Sequence, residues 1–525
     1  MLHKLVKYSV NHINRKLCDA NCWYLFKTGR EPTNICSIRW AIEQWKRSLI
    51  NVSMPTKGKI ILSAIRNKRW VEWAVYSACF TLKMGYQPVI IYSGGEFKKI
   101  FSPKEKGGKP FRDLITSIPY LTLIDLDCYL TGSSDSAYSK FAEGNAHLVA
   151  AYDLKVEEYE PGDRVDEYNK TVEAARQMLA SCTPAIEKLM REVRPLRVIA
   201  PSGLIGLSMA IREAARRASI DAIFVEGWVM RPGHNIYRMN QPALSYDIDG
   251  WLKVLGNWDN KKETSINDYM AFREGFEIHD EEWLKDFHQV QQSPKDVPLP
   301  VGLAKFFQRN GFYFLLGTNV VGDSATLGRA TIFKSQQSWI KEIVGFFQEH
   351  PEMNLVIRAH PDEVWQKAKL RMGDVAAGLS AGLDNVYVIR GNETINTYSL
   401  VDRINAGLAW VSNIGLDMAL RGKPVILAAA AQYSGLGICQ VPKTKEEYFK
   451  AVLETVTNPI KPPEDRLWLG KAYHYIIFKM MSLKADNENY EAMGFRLGEK
   501  SKNPDQDRFY KILVGELDDK GRELA

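Results

Sequence analysis

The sequence predicts an α/β protein built from two Rossmann-like, doubly wound parallel sheets that face a cleft. Three observations carry this expectation. Short apolar runs alternate with helical stripes through both halves of the 525-residue chain, a polar, proline-ended stretch separates the halves, and polar residues gather where the apolar runs stop. The clearest unit runs from Phe312 to Glu363. Phe312 to Leu316 stops at Gly317, and Leu355 to Ile357 stops at Arg358-Ala359-His360-Pro361. Between them Ile340, Ile343, Val344 and Phe347 share one helix face. Such a βαβ unit closes right-handed into a parallel sheet.

In chain order, residues 1–55 are expected to form an N-terminal helical extension, aromatic and basic (Trp23, Tyr24, Phe26, Trp40, Trp45). Residues 56–250 make the first Rossmann-like half, with strands at 59–65, 88–92, 121–126, 197–200 and 222–225. Val71, Ala74, Val75, Ala78 and Leu82 form a helical stripe, and a long helical region from Asp166 to Val193 is expected to kink or divide at Pro184. No phosphate-cradling G-x-G-x-x-G follows the first strand; Gly94-Gly95 is too short a signal. Residues 251–300, closing with Pro298-Leu299-Pro300, read as a linker. Residues 301–460 repeat the alternation, with strands near 312–316, 354–358, 386–389, 408–411 and 424–427, and residues 461–525 are expected as a helical tail that turns polar and frays.

Composition narrows the function classes. With 45% hydrophobic and 25% charged residues the chain can bury large cores, and no apolar run reaches the roughly 18 to 20 residues that span a bilayer. The start is basic but lacks the apolar core and cleavage site of a signal peptide, so a cytoplasmic location is expected. Seven cysteines at irregular spacing make no disulfide framework, and His12, Cys18, Cys22 and Cys36 lack the paired spacing of a zinc site. The net charge is +7, with a basic cluster at Lys98, Lys99, Lys104, Lys106, Lys109 and Arg112. That cluster is either a solvated loop or a patch for peripheral contact with the inner face of a membrane or with an anionic acceptor; nucleic acid is not an expected partner.

In an open parallel sheet the ligand lies beyond the carboxyl ends of the strands. Thr318, Asn319, Asp323 and Ser324 follow one strand of the second half, and Arg358, His360, Asp362 and Glu363 follow the next. Pro361 holds His360 extended at the strand tip, where imidazole and guanidinium N–H groups suit a phosphate. Ser412 or Asn413 can cap the helix that follows, and Gly415 permits close backbone approach. Beyond the next strand, the loop containing Tyr433, Gly435 and Gly437 is placed to close over a nucleotide or sugar.

NLVIRAHPDE, SLVDRINAGLAWVSNIGLDMALRGKPVI and QYSGLGICQVPKTKEEYF, in that order, resemble the C-terminal half of the bacterial capsule and surface polysaccharide biosynthesis glycosyltransferases. That group includes the capsular Kdo transferases and has the GT-B fold. IFVEGWVMRPGHNIYRMNQPA is similar to a segment of their N-terminal half. The likeness covers residues 58–460 and is strongest from Thr318 to Phe449. It implies an N-terminal acceptor domain and a C-terminal donor domain in which Arg358, His360, Glu363, Ser412, Asn413, Gly415 and Asp417 hold the phosphate and sugar of a nucleotide-sugar donor. Asn413 and Asp417 depart from the family pattern, which favours a small hydroxyl residue and Glu. Glu226, or failing that His234, is implied as the general base; a salt bridge from Glu226 to Arg231 is the alternative.

The expected activity is therefore transfer of a sugar from a nucleotide-sugar, which is substrate and not cofactor, to a surface glycan or glycolipid acceptor. No cofactor or metal site is expected, since Asp125-Leu126-Asp127 and Asp247-Ile248-Asp249 lie outside convincing loops. A nucleotide-sugar epimerase, a polyol-phosphate transferase and a non-catalytic glycan-binding subunit are the alternatives.

Overall fold

A computed structural model describes residues 52–64, 68–92, 118–130, 136–227, 234–275, 295, 297–365, 368–481, 483–484, 490–491, 494–495, 508–518, 520 and 522. The helical extension, the four imagined zinc ligands, the basic cluster, Gly94-Gly95 and Arg231 lie outside the described residues, the extension except for its last four.

The first sheet is wound from its middle. Strands β1 (Lys59–Ser63), β2 (Gln87–Tyr92), β3 (Thr122–Asp125), β4 (Arg197–Pro201) and β5 (Asp221–Gly227) run parallel, β6 (His234–Met239) lies antiparallel to β5, and a short strand from Leu483–Lys484 pairs with β6. The spatial order places β1 between β2 and β4. Winding therefore reverses at the carboxyl ends of β1 and β4, the kind of place where open sheets bind ligands.

Strands β1 and β4 read as unbroken apolar runs because both faces are covered. Helix α1 (Lys68–Lys83) covers one face, with Ala74, Ala78 and Leu82 in the core. Helices α2 (Ser136–Leu154), α3 (Val165–Val193) and α4 (Gly206–Ala218) cover the other. The expected division at Pro184 does not occur: α3 runs continuously through it. Its buried face (Leu179, Ile186, Leu189, Met190) is clamped on the sheet, and the Thr183 hydroxyl donates to the Leu179 carbonyl at 2.6 Å one turn earlier. Packing thus outweighs the proline's local cost.

Two helices, α5 (Ile248–Leu255) and α6 (Asn260–Arg273), occupy the stretch read as a linker. Trp251, Leu255, Ile266 and Tyr269 are buried in the core of the second half, so these two helices form a packed layer. The second sheet comprises β7 (Phe312–Gly317), β8 (Met353–Arg358), β9 (Val386–Ile389), β10 (Ala406–Ala409) and β11 (Val425–Leu427), all parallel, in the order β11-β10-β7-β8-β9. Its reversal lies between β7 and β10.

Helix α7 (Gln336–Glu349) joins β7 to β8, starting from a capping box at Ser335 and Ser338. Its buried positions include Ile340, Ile343, Val344 and Phe347, the stripe read from the sequence. Helices α8 (Met372–Leu379), α9 (Thr397–Val401), α10 (Asn413–Leu420) and α11 (Lys445–Thr457) complete the half.

The tail departs from its expected fraying. Helix α12 (Leu467–Tyr475) packs into the second core through Ala472 and Tyr473, and α13 (Arg508–Val514) returns to the first core, where Ile512, Leu513 and Val514 are buried. Arg197 of β4 donates to the Ile512 carbonyl at 3.2 Å, fastening the returned tail. The halves also touch through the chain after β7: Lys155 Nζ donates to the Gly322 carbonyl at 3.0 Å, and Leu327 is buried in a core of the first half.

Candidate active site

The carboxyl edge of the second sheet is drawn together by side chains that satisfy main-chain groups. Thr318 Oγ1 accepts from the His360 amide at 3.0 Å, joining the ends of β7 and β8. Asn319 Oδ1 accepts from the Val411 amide at 3.3 Å, spanning the reversal from β7 to β10, while the Asn319 amide donates to Gln336 Oε1 at 2.6 Å. Asp323 accepts from the Ala325 amide at 3.0 Å and lies beside Ser324, whose hydroxyl donates to it at 3.4 Å.

His360 is half-exposed at this edge, and Nδ1 accepts from the Asp362 amide at 3.2 Å. That bond fixes the tautomer with hydrogen on Nε2, leaving an N–H donor to point elsewhere. Burial lowers the imidazole's pKa, and Arg358 and Arg273 add to the lowering, against the opposing pull of Asp362 and Asp323.

Several candidates turn out to be tied inward. Arg358 is buried; Nη1 donates to the Arg390 carbonyl at 2.8 Å and Nη2 to the Ile395 carbonyl at 3.3 Å, and burial pushes its pKa down to about 10. Those donors brace a loop and so do not form the fork expected for a phosphate. Glu363, also buried, accepts from the Met372 and Gly373 amides at 3.0 and 3.5 Å, at the start of α8, and burial raises its carboxyl to about 7. Tyr433 is turned inward, donating to the Ser412 carbonyl at 2.6 Å. A Cβ at Gly415 would lie 2.5 Å from the Tyr433 hydroxyl and 2.8 Å from Ala409 Cβ, so close packing explains this glycine. Gly435 and Gly437 are exposed on a short turn beside it.

Asp417 is only 2% exposed and lies within a set of polar partners from three other helices. It accepts from Tyr398 Oη at 2.7 Å, His474 Nε2 at 2.8 Å and Arg273 Nη2 at 3.2 Å. Burial alone would raise its pKa; Arg273 and His474 outweigh it and hold the carboxyl far below the usual range. Ser412 caps α10, with Oγ accepting from the Ile414 amide at 3.5 Å. Asn413 at the first helical position is half-buried, and its side chain makes no hydrogen bond among the described residues.

From the first half, Glu226 stands near the carboxyl end of β5, paired in register with Ile236, and His234 begins β6. Sequence reasoning missed what joins Glu226 to the second sheet. Tyr246 is held against the strand-end chain of the second half, where Gln432 Nε2 donates to the Leu244 carbonyl at 2.7 Å. Burial raises the Tyr246 phenol's pKa, Asp323 and Glu226 raise it further, and Arg329 opposes them. One phenol thus feels carboxylates from both halves and a guanidinium from the second. Tyr246 and Arg329 stand outside any strand or helical period, so periodicity carried no signal for them.

Among the described residues, no three His, Cys, Asp or Glu side chains gather as metal ligands. Asp125 and Asp247 serve as caps, accepting from the Asp127 and Gly250 amides at 3.1 and 3.0 Å. No helix among them is long and apolar enough to cross a membrane.

Two sheets, each reversing at its centre, give the two-sheet Rossmann-like arrangement of the GT-B fold. Residues 263–454 match the family model described as capsule polysaccharide biosynthesis protein. Solved structures similar to this chain include the β Kdo 2,4 transferase of Thermosulfurimonas dismutans KpsC, at 17% identity over 52% of this chain and 78% of that one, with a TM-score of 0.35. The β Kdo 2,7 transferase of the same protein shows 14% identity over 55% and 80%, with a TM-score of 0.31. A UDP-GlcNAc 2-epimerase from Neisseria meningitidis, bound to UDP-GlcNAc, shows 12% identity over 79% and 94%, with a TM-score of 0.23. No curated protein matches the chain.

Proposed function

We propose that the protein is a glycosyltransferase that moves a sugar from a nucleotide-sugar to a surface polysaccharide or its lipid-linked precursor. The observation that carries this reading is the meeting of the two halves at this edge, where Gln432 Nε2 donates to the Leu244 carbonyl at 2.7 Å and Tyr246 lies within electrostatic reach of Asp323 and Arg329 from the second half and Glu226 from the first. A two-substrate transfer needs such a meeting place, with the acceptor's base on one side and the leaving phosphate on the other. The match of residues 263–454 to the capsule polysaccharide biosynthesis family supports the same reading.

In this mechanism the acceptor hydroxyl attacks the anomeric carbon, its proton passes to the Glu226 carboxylate, and the bond to the phosphate oxygen breaks with the electron pair leaving on the phosphate. The Nε2–H of His360 and the start of α10 at Asn413 offer hydrogen bonds to the phosphate, without a metal ion in the role.

The test is a thermal-shift screen against CMP, UDP, GDP, ADP and CDP with His360→Ala alongside. A nucleotide at 100 times its dissociation constant adds roughly 2.7 kcal/mol to stability, a clear rise in midpoint. The expected result is one nucleotide that stabilises the wild type and not the variant. With the donor so identified, Glu226→Gln should keep the nucleotide shift and lose transfer by roughly 100-fold or more. No shift with any nucleotide overturns the proposal, and a sugar altered by the enzyme without acceptor replaces transfer with epimerisation.

A further inference from the structure

Arg329 stands out among the arginines of the second half. It follows Gly328, which has a positive φ of 70°, and its carbonyl accepts from the Ala430 amide at 2.9 Å, while Ala330 forms an antiparallel bridge with Ala429. These contacts pin Arg329 to the chain just beyond β11, at the carboxyl edge of the second sheet. Its side chain is half-buried, yet among the described residues the guanidinium has no hydrogen bond and no ion pair. Its electrostatic neighbours are two phenols, Tyr246 and Tyr473.

The contrast with nearby arginines is informative. Arg273 meets Asp417 at 3.2 Å, Arg421 meets Glu274, and Arg358 spends two donors on carbonyls. A guanidinium taken partly out of water without a counter-ion carries a desolvation cost that nothing in its surroundings offsets. The backbone contacts hold it there regardless. An arginine so placed is complete only when an anion arrives, and its planar fork suits phosphate oxygens.

We propose that Arg329 binds the phosphate of the nucleotide-sugar, holding the leaving group as negative charge develops on it; this rests on the glycosyltransferase reading above. The phosphate belongs to the donor because Arg329 is fixed to the sheet edge that carries His360 and Asn413. Tyr246 beside it carries the influence of Glu226, so one phenol links the leaving-group side to the base side.

The experiment compares wild type, Arg329→Met and Arg329→Lys by thermal shift and by calorimetric titration with the nucleotide found in the screen, with its nucleoside and with inorganic phosphate. Methionine keeps much of the length and removes the charge. Without ligand, Arg329→Met should be as stable as wild type or more so, since an unpaired cation has been removed. Its nucleotide affinity should fall about 10- to 100-fold, the size of one lost charge-assisted contact. Nucleoside affinity should be unchanged and Arg329→Lys should lie between. Wild-type nucleotide affinity in Arg329→Met overturns this inference and leaves the glycosyltransferase reading standing. A wild type that binds no nucleotide overturns both. Equal losses for nucleoside and nucleotide would assign Arg329 to general packing and refute the phosphate role.

Discussion

Asp417→Asn is the most informative stability test the fold offers. The substitution preserves shape but leaves an acceptor for only one of Tyr398 and His474, which donate to different carboxylate oxygens, and removes the charge that faces Arg273 at 3.2 Å in a buried site. Burial works against the Arg273 charge, and it is Asp417, with Tyr398 and Tyr269, that keeps this guanidinium strongly protonated. Breaking a buried ion pair by removing one partner costs about 3–5 kcal/mol, most of it the penalty of the stranded charge. Asp417→Asn should therefore lose ~3–5 kcal/mol in urea unfolding, read by circular dichroism and tyrosine fluorescence. In Arg273→Met/Asp417→Asn no cation is stranded, so the double variant should be at least ~1 kcal/mol more stable than the sum of the two single losses implies. A loss below ~1 kcal/mol for Asp417→Asn, or additive losses in the double variant, would refute the reasoning. Nucleotide binding to folded Asp417→Asn should stay within a few-fold of wild type, because the carboxylate is committed to three protein donors.

Three further outcomes follow. Glu157 Oε1 is buried without a partner beside Glu158, and burial raises the carboxyl from 4.5 to about 7. A raised folded pKa stabilises below the unfolded value and loses that contribution as pH climbs through about 7, so Glu157→Gln should match wild type near pH 4 and exceed it at pH 8 by up to ~3 kcal/mol in urea unfolding. Gly415→Ala should destabilise by ~1–3 kcal/mol and disturb Tyr433, seen as a lowered melting midpoint, because the new methyl would meet the phenol and Ala409. For His360, a glutamine amide reproduces a donor at the Nε2 position and an asparagine does not, so the nucleotide-induced thermal shift should survive His360→Gln and be lost in His360→Asn.

The strands, the α7 stripe and the chain order of the second sheet were legible because burial writes them into local periodicity. Phe312 to Leu316 and Leu355 to Ile357 are buried on both faces, and no other local structure suits such short β-rich runs. Strand-end residues were legible as a group, but their individual tasks were not. Arg358 and Glu363 looked like ligand groups because sequence spacing cannot show that the Arg390 carbonyl and the Met372 amide lie within reach. Asp417 was singled out by its place in a motif, yet its partners Arg273 and His474 lie 144 residues before it and 57 after, in stretches read as linker and tail. The same distance hid the tail's return, since Ile512 to Val514 make an unremarkable apolar run until the first core receives them.

The two layers of charge in the second half have opposite designs, and that difference separates structure from function here. Beneath the strand ends, Asp417, Arg273, Tyr398 and His474 balance one another, and Glu274 meets Arg421 and, at 2.8 Å, Lys295. This layer joins α6, α9, α10 and α12, holding the intervening chain and the tail to the sheet. At the strand ends themselves, His360, Arg358 and Arg329 all have pKa values lowered by burial. Arg358 has already given two donors to carbonyls, whereas under the proposed function the Nε2–H of His360 and the Arg329 guanidinium remain for an arriving anion. Under the proposed function, a balanced layer beneath an edge that keeps two uncommitted donors would suit a site that binds phosphate without first reorganising, because those donors are fixed and partly desolvated before the ligand arrives.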